Sequence, residues 1–193
     1  MKKLNVEAKK MSEGGQIPVD GYVVSILSAK VEETDYGEKL AIGFDIAEGE
    51  YKDFYKRKFD SDTSEDKKWK GVIRINVPDE KNQYYDTQKR VFGNFLACVE
   101  ESNEGYHWDW DEKKLKGKTV GCIFRNEEWE IGGRSGWKSQ PYKFISAEKI
   151  RSGDFKIPDD KAKSSKTSAG SVNTDLSNFE EITTSNSDLP FDI

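Results

Sequence analysis

The chain has 193 residues, a net charge of −5, and 34% hydrophobic and 12% aromatic residues, enough for one core of ordinary size plus a tail. Two cysteines without CxxC spacing exclude a disulfide framework, and His107, the single histidine, has neither a second metal ligand nor a nucleophile in obvious company, so neither metal nor other cofactor is expected. No apolar run reaches the about 18 residues of a membrane helix, and the opening MKKLNVEAKKMSEGG carries charge without an apolar stretch, so the expected location is the cytoplasm.

The negative charge is unevenly spread. Between Ser171 and Ile193 stand five acids (Asp175, Glu180, Glu181, Asp188 and Asp192) and no Lys or Arg, so that stretch holds −5 and residues 1–170 are neutral overall. Local basic runs remain in the neutral part: Lys52 with Lys56, Arg57 and Lys58; Lys67, Lys68, Lys70 and Arg74; Lys113, Lys114, Lys116 and Lys118. Composition divides the chain into a flexible segment 1–16, a domain 17–158, and a Ser/Thr/Asn-rich tail 159–193 without apolar periodicity, which reads as a tether.

In chain order, GYVVSILSAKVEE and KLAIGFDIAEGEYKDFYKRKF alternate apolar and polar residues with DYGEK and EGEY as turn signals, the pattern of a three-stranded meander. WKGVIRINV is a further extended segment, closed by Pro78. In YYDTQKRVFGNFLACVEESN the period changes. Val91, Phe92, Phe95, Leu96 and Val99 recur at helical spacing, with Asp86 or Thr87 to start the helix and Gly105 to end it. KGKTVGCIFRNEEWEI and QPYKFISAEKI predict two last strands joined by the glycine-rich GGRSGWKSQ. The expected fold is mainly β: a five-stranded Greek-key barrel of the OB type with one helix between its third and fourth principal strands. A sandwich with one packed helix fits the same string.

On the expected third strand, YKDFYKRKF, alternation puts Lys52, Phe54, Lys56 and Lys58 on one face and Tyr51, Asp53, Tyr55, Arg57 and Phe59 on the other. Cations at intervals suit phosphates and flat rings suit unstacked bases, so the first face is a candidate for single-stranded nucleic acid; a solvated outer face is the plain alternative. Trp69, Lys70 and Arg74 extend the pattern, and Arg134, Trp137 and Lys138 place it in the loop expected between the last strands. Tyr106, Trp108 and Trp110 read as packing that pins the helix, His107 as a surface ring, and Cys98 and Cys122 as core thiols. No nucleophile–base pair and no GxxxxGK loop stands out, so no enzymatic activity is expected.

The stretches KLAIGFDIAEGEYKDFYKRKF, ESNEGYHWDWDEKKLKGKTVG and KFISAEKIRSGDFKIP resemble the single-stranded DNA-binding proteins of phages and integrative elements of low-GC Gram-positive bacteria, over residues 17–158. That resemblance implies an OB fold that binds and protects single strands without strong sequence preference during replication or recombination. The end of the chain, SDLPFDI, is similar to the acidic tip of bacterial single-stranded DNA-binding proteins, with Asp188, Leu189, Pro190 and Phe191 matching residue by residue. The tip implies docking of replication and recombination proteins. In the tip family Phe is the last residue, whereas Asp192 and Ile193 follow here, and fewer acids precede it. Oligomeric state is open, a homo-oligomer included. The competing class is an adaptor or acidic DNA mimic that binds a host enzyme, which needs acids spread over the domain rather than collected in the tail.

Overall fold

The computed structural model describes residues 15–163, and the docking residues Asp188, Leu189, Pro190 and Phe191 lie outside them. The described chain forms a five-stranded antiparallel sheet in the order β3-β2-β1-β4-β5. β1 (Gly21–Thr34) and β2 (Gly37–Ile46) form a hairpin whose register closes at Thr34 and Gly37. Gly37 has φ 102°, a value that excludes most side chains, and its carbonyl accepts a hydrogen bond from Thr34 Oγ1 at 2.6 Å. β3 (Val72–Asn76) pairs with β2, and β4 (Thr119–Ile131) pairs with β1 through Gly21–Ser25. β5 (Arg134–Ile145) returns along β4. The edge strands β3 and β5 also approach each other.

Helices interrupt this order at three places: α1 (Phe54–Ser61) between β2 and β3, α2 (Tyr85–Ser102) between β3 and β4, and α3 (Ala147–Ser152) after β5. α2 is the helix that periodicity predicts. Its Phe92, Phe95 and Val99 are buried against Phe44, Phe124 and Phe144 of the sheet, and each such side chain contributes about 1.5–3 kcal/mol on leaving water. Asn103, just past its end, donates to Val99 O and Thr119 O at 2.7 Å each and accepts from Thr119 N, so the helix end is fastened to the start of β4. Both thiols are in the core as expected; burial pushes Cys98 up to about 11 and Cys122 further.

Four expectations are corrected. The meander has two strands, because YKDFYKRKF enters α1 instead of a third strand. Tyr51, Tyr55 and Phe59 are four apart, a spacing that satisfies a strand and a helix alike; the deciding contact comes from β2. Asp45, buried on that strand, accepts from the N–H groups of Tyr55 and Lys56 at 2.9 Å each and from Ile46 N at 2.8 Å, which supplies the helix start with its missing acceptors. Second, the loop GGRSGWKSQ is only Gly132–Gly133, both at positive φ (58° and 75°), a two-residue hairpin turn, so Trp137 and Lys138 stand on β5. Third, ISAEKI leaves the sheet at Ile145 and becomes α3, whose Ile150 covers Gly21 and Gly121. Trp110 also departs from its expected packing role. It is 80% exposed at φ 67°, while Trp108 and Tyr106 do pack inward.

Gly71, between Trp69 and β3, has a steric reason. A Cβ there would lie 2.4 Å from Phe44 O and 2.7 Å from the Tyr55 ring, and its carbonyl accepts from Phe44 N at 2.8 Å. The contact clamps the segment before β3 against α1. No helix among the described residues is long and apolar enough to cross a membrane.

Candidate nucleic-acid interface

α1 and the segment before β3 bring Lys58 and Lys70 into one electrostatic neighbourhood with Lys138, which comes from the distant β5. The Lys138 ammonium is held below the usual lysine range, first by partial loss of hydration and then by the ammonium groups of Lys58 and Lys70, with Glu127 acting in the opposite sense. The residue as a whole is exposed, so the loss of hydration is partial and the mutual repulsion is the informative part. Among the described residues none of the three makes an ion pair. Lys58 Nζ donates to Gly15 O at 3.3 Å. Glu127, the cross-strand partner of Lys138, and Asp62 near Lys70 answer part of this charge, but three ammoniums stand against these two carboxylates, an excess that an anion would relieve.

Rings flank the lysines. Lys58 Nζ lies 5.7 Å from the centroid of Phe54, and Lys67 Nζ 4.5 Å from that of Phe59. Phe59 in turn sits 5.7 Å from Trp69. Trp69 is half-buried, its Nε1 donating to Phe44 O at 3.0 Å and its ring 6.5 Å from Tyr55, so it is anchored to the core edge with its polar atom already satisfied. Asp62, the residue that follows α1, is a counter-charge to Lys70 and Lys67. Its carboxyl is held below its usual range first by the Ser64 hydroxyl and N–H, and further by Lys70 and Lys67.

The β4–β5 hairpin supplies the opposite wall. Its register pairs Ile131 with Arg134, Trp129 with Gly136 and Glu127 with Lys138, and paired residues share a face. Trp129, Arg134 and Lys138 therefore lie on one face, and Trp137 lies with Glu128 and Glu130 on the other. Gly136 lets the Trp129 indole lie across the neighbouring strand, since a Cβ there would meet the ring at 3.0 Å. Arg125, on the Trp129 face, is stacked 4.0 Å over the Tyr142 ring and paired with Glu127 at 2.9 Å, which stiffens the base of the hairpin.

Of the predicted residues, the structure sets Phe54 beside Lys58, couples Lys58 and Lys70 electrostatically to Lys138, puts Arg134 on the Lys138 face of the hairpin and anchors Trp69 at the core edge, by elements different from those expected. It separates the others. Lys56 lies about 200° round α1 from Lys58, given about 100° per residue. Lys52 precedes the helix, where its carbonyl accepts from Arg57. Arg74, exposed on β3, is paired with Glu32 at 2.9 Å, so its charge is largely answered. Trp137 is 45% exposed but faces away from Lys138. Sequence reasoning missed Phe59, Lys67 and Trp129. For Trp129 the signal was present: a two-residue Gly-Gly turn fixes the hairpin register, and counting outward from it pairs Trp129 with Gly136.

His107 is a surface ring, with Nδ1 3.9 Å from Glu100. Among the described residues no three metal-ligating side chains converge. Neither a protein-family model nor a curated protein matches the sequence.

Proposed function

We propose that this protein binds single-stranded DNA without enzymatic activity, laying the strand across the face formed by α1, the 67–70 segment and the β4–β5 hairpin. Phosphates would sit against Lys58, Lys67, Lys70, Arg134 and Lys138, and unstacked bases against Trp129 and the exposed edges of Phe54, Phe59 and Trp69. The observation that carries this reading is the set of cation–ring contacts on α1 and the segment after it, Lys58 over Phe54 and Lys67 over Phe59, with Lys58 and Lys70 electrostatically coupled to Lys138 of the distant β5.

The strand order supports an OB-type barrel. β1 is flanked by β2 and β4, a helix separates β3 from β4, and the edges β3 and β5 approach each other, as in a partly open five-stranded barrel. The tail is proposed to recruit replication or recombination proteins through Asp188, Leu189, Pro190 and Phe191, a role that rests on the resemblance of SDLPFDI alone. The test is a tryptophan-fluorescence titration with an oligo-dT and with a duplex of equal length. Quenching by the single strand, absent or far weaker with the duplex, supports the proposal; equal binding to both, or to neither, overturns it.

A further inference from the structure

The β4–β5 hairpin outruns its sheet. β1 begins at Gly21, paired with Ile123, and Phe124 N donates to Asp20 O, so beyond Phe124 the edge of β4 has lost its β1 neighbour. A two-stranded ribbon in water is marginally stable at best, yet this one carries Trp129, Arg134 and Lys138. Both edges are closed by segments from elsewhere in the chain. On β5, the Gln16 carboxamide donates to Trp137 O and accepts from Ser139 N, at 3.3 Å each. On β4, the chain beyond Pro158 takes over the line that β1 has left. Lys161 N donates to Asn126 O and Glu128 N donates to Lys161 O, at 2.9 Å each, a parallel bridge opposite Glu127. Lys163 then donates its N–H to Glu128 Oε2 at 3.0 Å and brings Nζ to 3.4 Å from Glu130 Oε2.

We infer that residues 159–163 are a strap that positions the β4–β5 hairpin for its ligand, and that Lys161 acts as a positioning residue through its backbone groups. The inference rests on the reading of the hairpin face as a DNA-binding surface. The ion pairs of Lys163 are exposed and worth little beside the two backbone hydrogen bonds of Lys161.

Three forms of the full chain separate the possibilities: wild type, Lys161→Pro and Lys161→Gln. Proline removes the N–H given to Asn126, whereas glutamine keeps both backbone groups and alters only the side chain. A chain ended after Pro158, compared with one ended after Lys163, is the second pair. Amide hydrogen exchange is measured first, without DNA. Lys161→Pro and the shorter truncation should speed exchange across 126–138, while Lys161→Gln and the longer one leave it unchanged. In an oligo-dT titration the first two should bind at least about fivefold more weakly, the equivalent of one phosphate contact at 0.1 M salt, and the other two as wild type. The strap is overturned if Lys161→Pro leaves exchange and affinity unchanged, or if Lys161→Gln weakens binding as much as the proline does. Wild type that fails to bind oligo-dT overturns the DNA reading and the positioning role together; wild type that binds while the proline variant matches it in both measurements overturns the strap alone.

Discussion

Replacing Lys138 by Gln should weaken binding of single strands and at the same time stabilise the free protein. Five cations, Lys58, Lys67, Lys70, Arg134 and Lys138, line the proposed face, and at about −0.7 per phosphate contact on a single strand the affinity should fall with salt at a log–log slope of roughly −3.5. Lys138→Gln removes one of them, so the slope should relax to roughly −2.8 and the affinity at 0.1 M salt should drop about fivefold, the factor that one such contact supplies relative to 1 M. The stability effect has the opposite sign. Lys138 is held below the usual lysine value of 10.5 in the fold, chiefly by partial loss of hydration and then by Lys58 and Lys70, so its protonated form opposes folding. That opposition is fully present below the folded-state value and vanishes as the pH rises through 10.5. The variant should therefore melt higher than wild type at pH 7, with the difference closing toward alkaline pH. Fluorescence titrations at four salt concentrations and thermal melts at two pH values measure both effects. An unchanged slope together with an unchanged melting temperature would refute the placing of Lys138 among other cations on a phosphate-binding face.

Trp129→Ala should cost on the order of 1–3 kcal/mol of binding if a base stacks on the indole, and Trp137→Ala clearly less, because the hairpin register turns Trp137 away; the reverse order in a titration would contradict the face assignment. Asp45→Ala removes the acceptor of three backbone N–H groups, so a loss of about 2–4 kcal/mol is expected by chemical denaturation, with Asp45→Asn recovering part of it through its remaining carbonyl oxygen. Deleting residues 186–193 should leave affinity for single strands equal or higher and abolish capture of a tip-binding partner, measured by pull-down; a large loss of DNA affinity would contradict the docking role.

Where local pattern and tertiary context agree, the fold is legible from the residues. α2 has its apolar positions at 92, 95 and 99 and no competing period, and the β1–β2 hairpin has two apolar runs rich in β-branched residues about a short turn. α1 was not legible because Tyr51, Tyr55 and Phe59 repeat every four residues, a multiple of the strand period and close to the helical one. Phe54 was the discordant residue: on a strand it falls among lysines, whereas on the helix it joins Tyr51 and Tyr55 in edge contacts at 6.4 and 5.1 Å. The choice was settled by Asp45, which no local window connects to residues 55 and 56. α3 hid behind Ile145 and Ile150, which read as one apolar strand although Ser146-Ala147-Glu148 is a fair helix start. The candidate interface was read from its residue types, not from their grouping. Lysines and rings on YKDFYKRKF suggested a nucleic-acid face, but joining Lys58 and Lys70 to Lys138 required the helix, the clamp at Gly71 and a two-residue hairpin turn at once.

The central claim is that a single strand lies against Lys58, Lys70 and Lys138, and photo-crosslinking with an oligonucleotide carrying 5-iododeoxyuridine, read by mass spectrometry, tests it most directly. Trp110, 80% exposed and in a different segment, is a built-in control for adventitious ring chemistry. Crosslinks to Trp129, Trp69, Phe54 or Phe59 that disappear on adding unlabelled oligo-dT are the predicted result. Competable crosslinks confined to Trp110 or Trp137 would contradict the account.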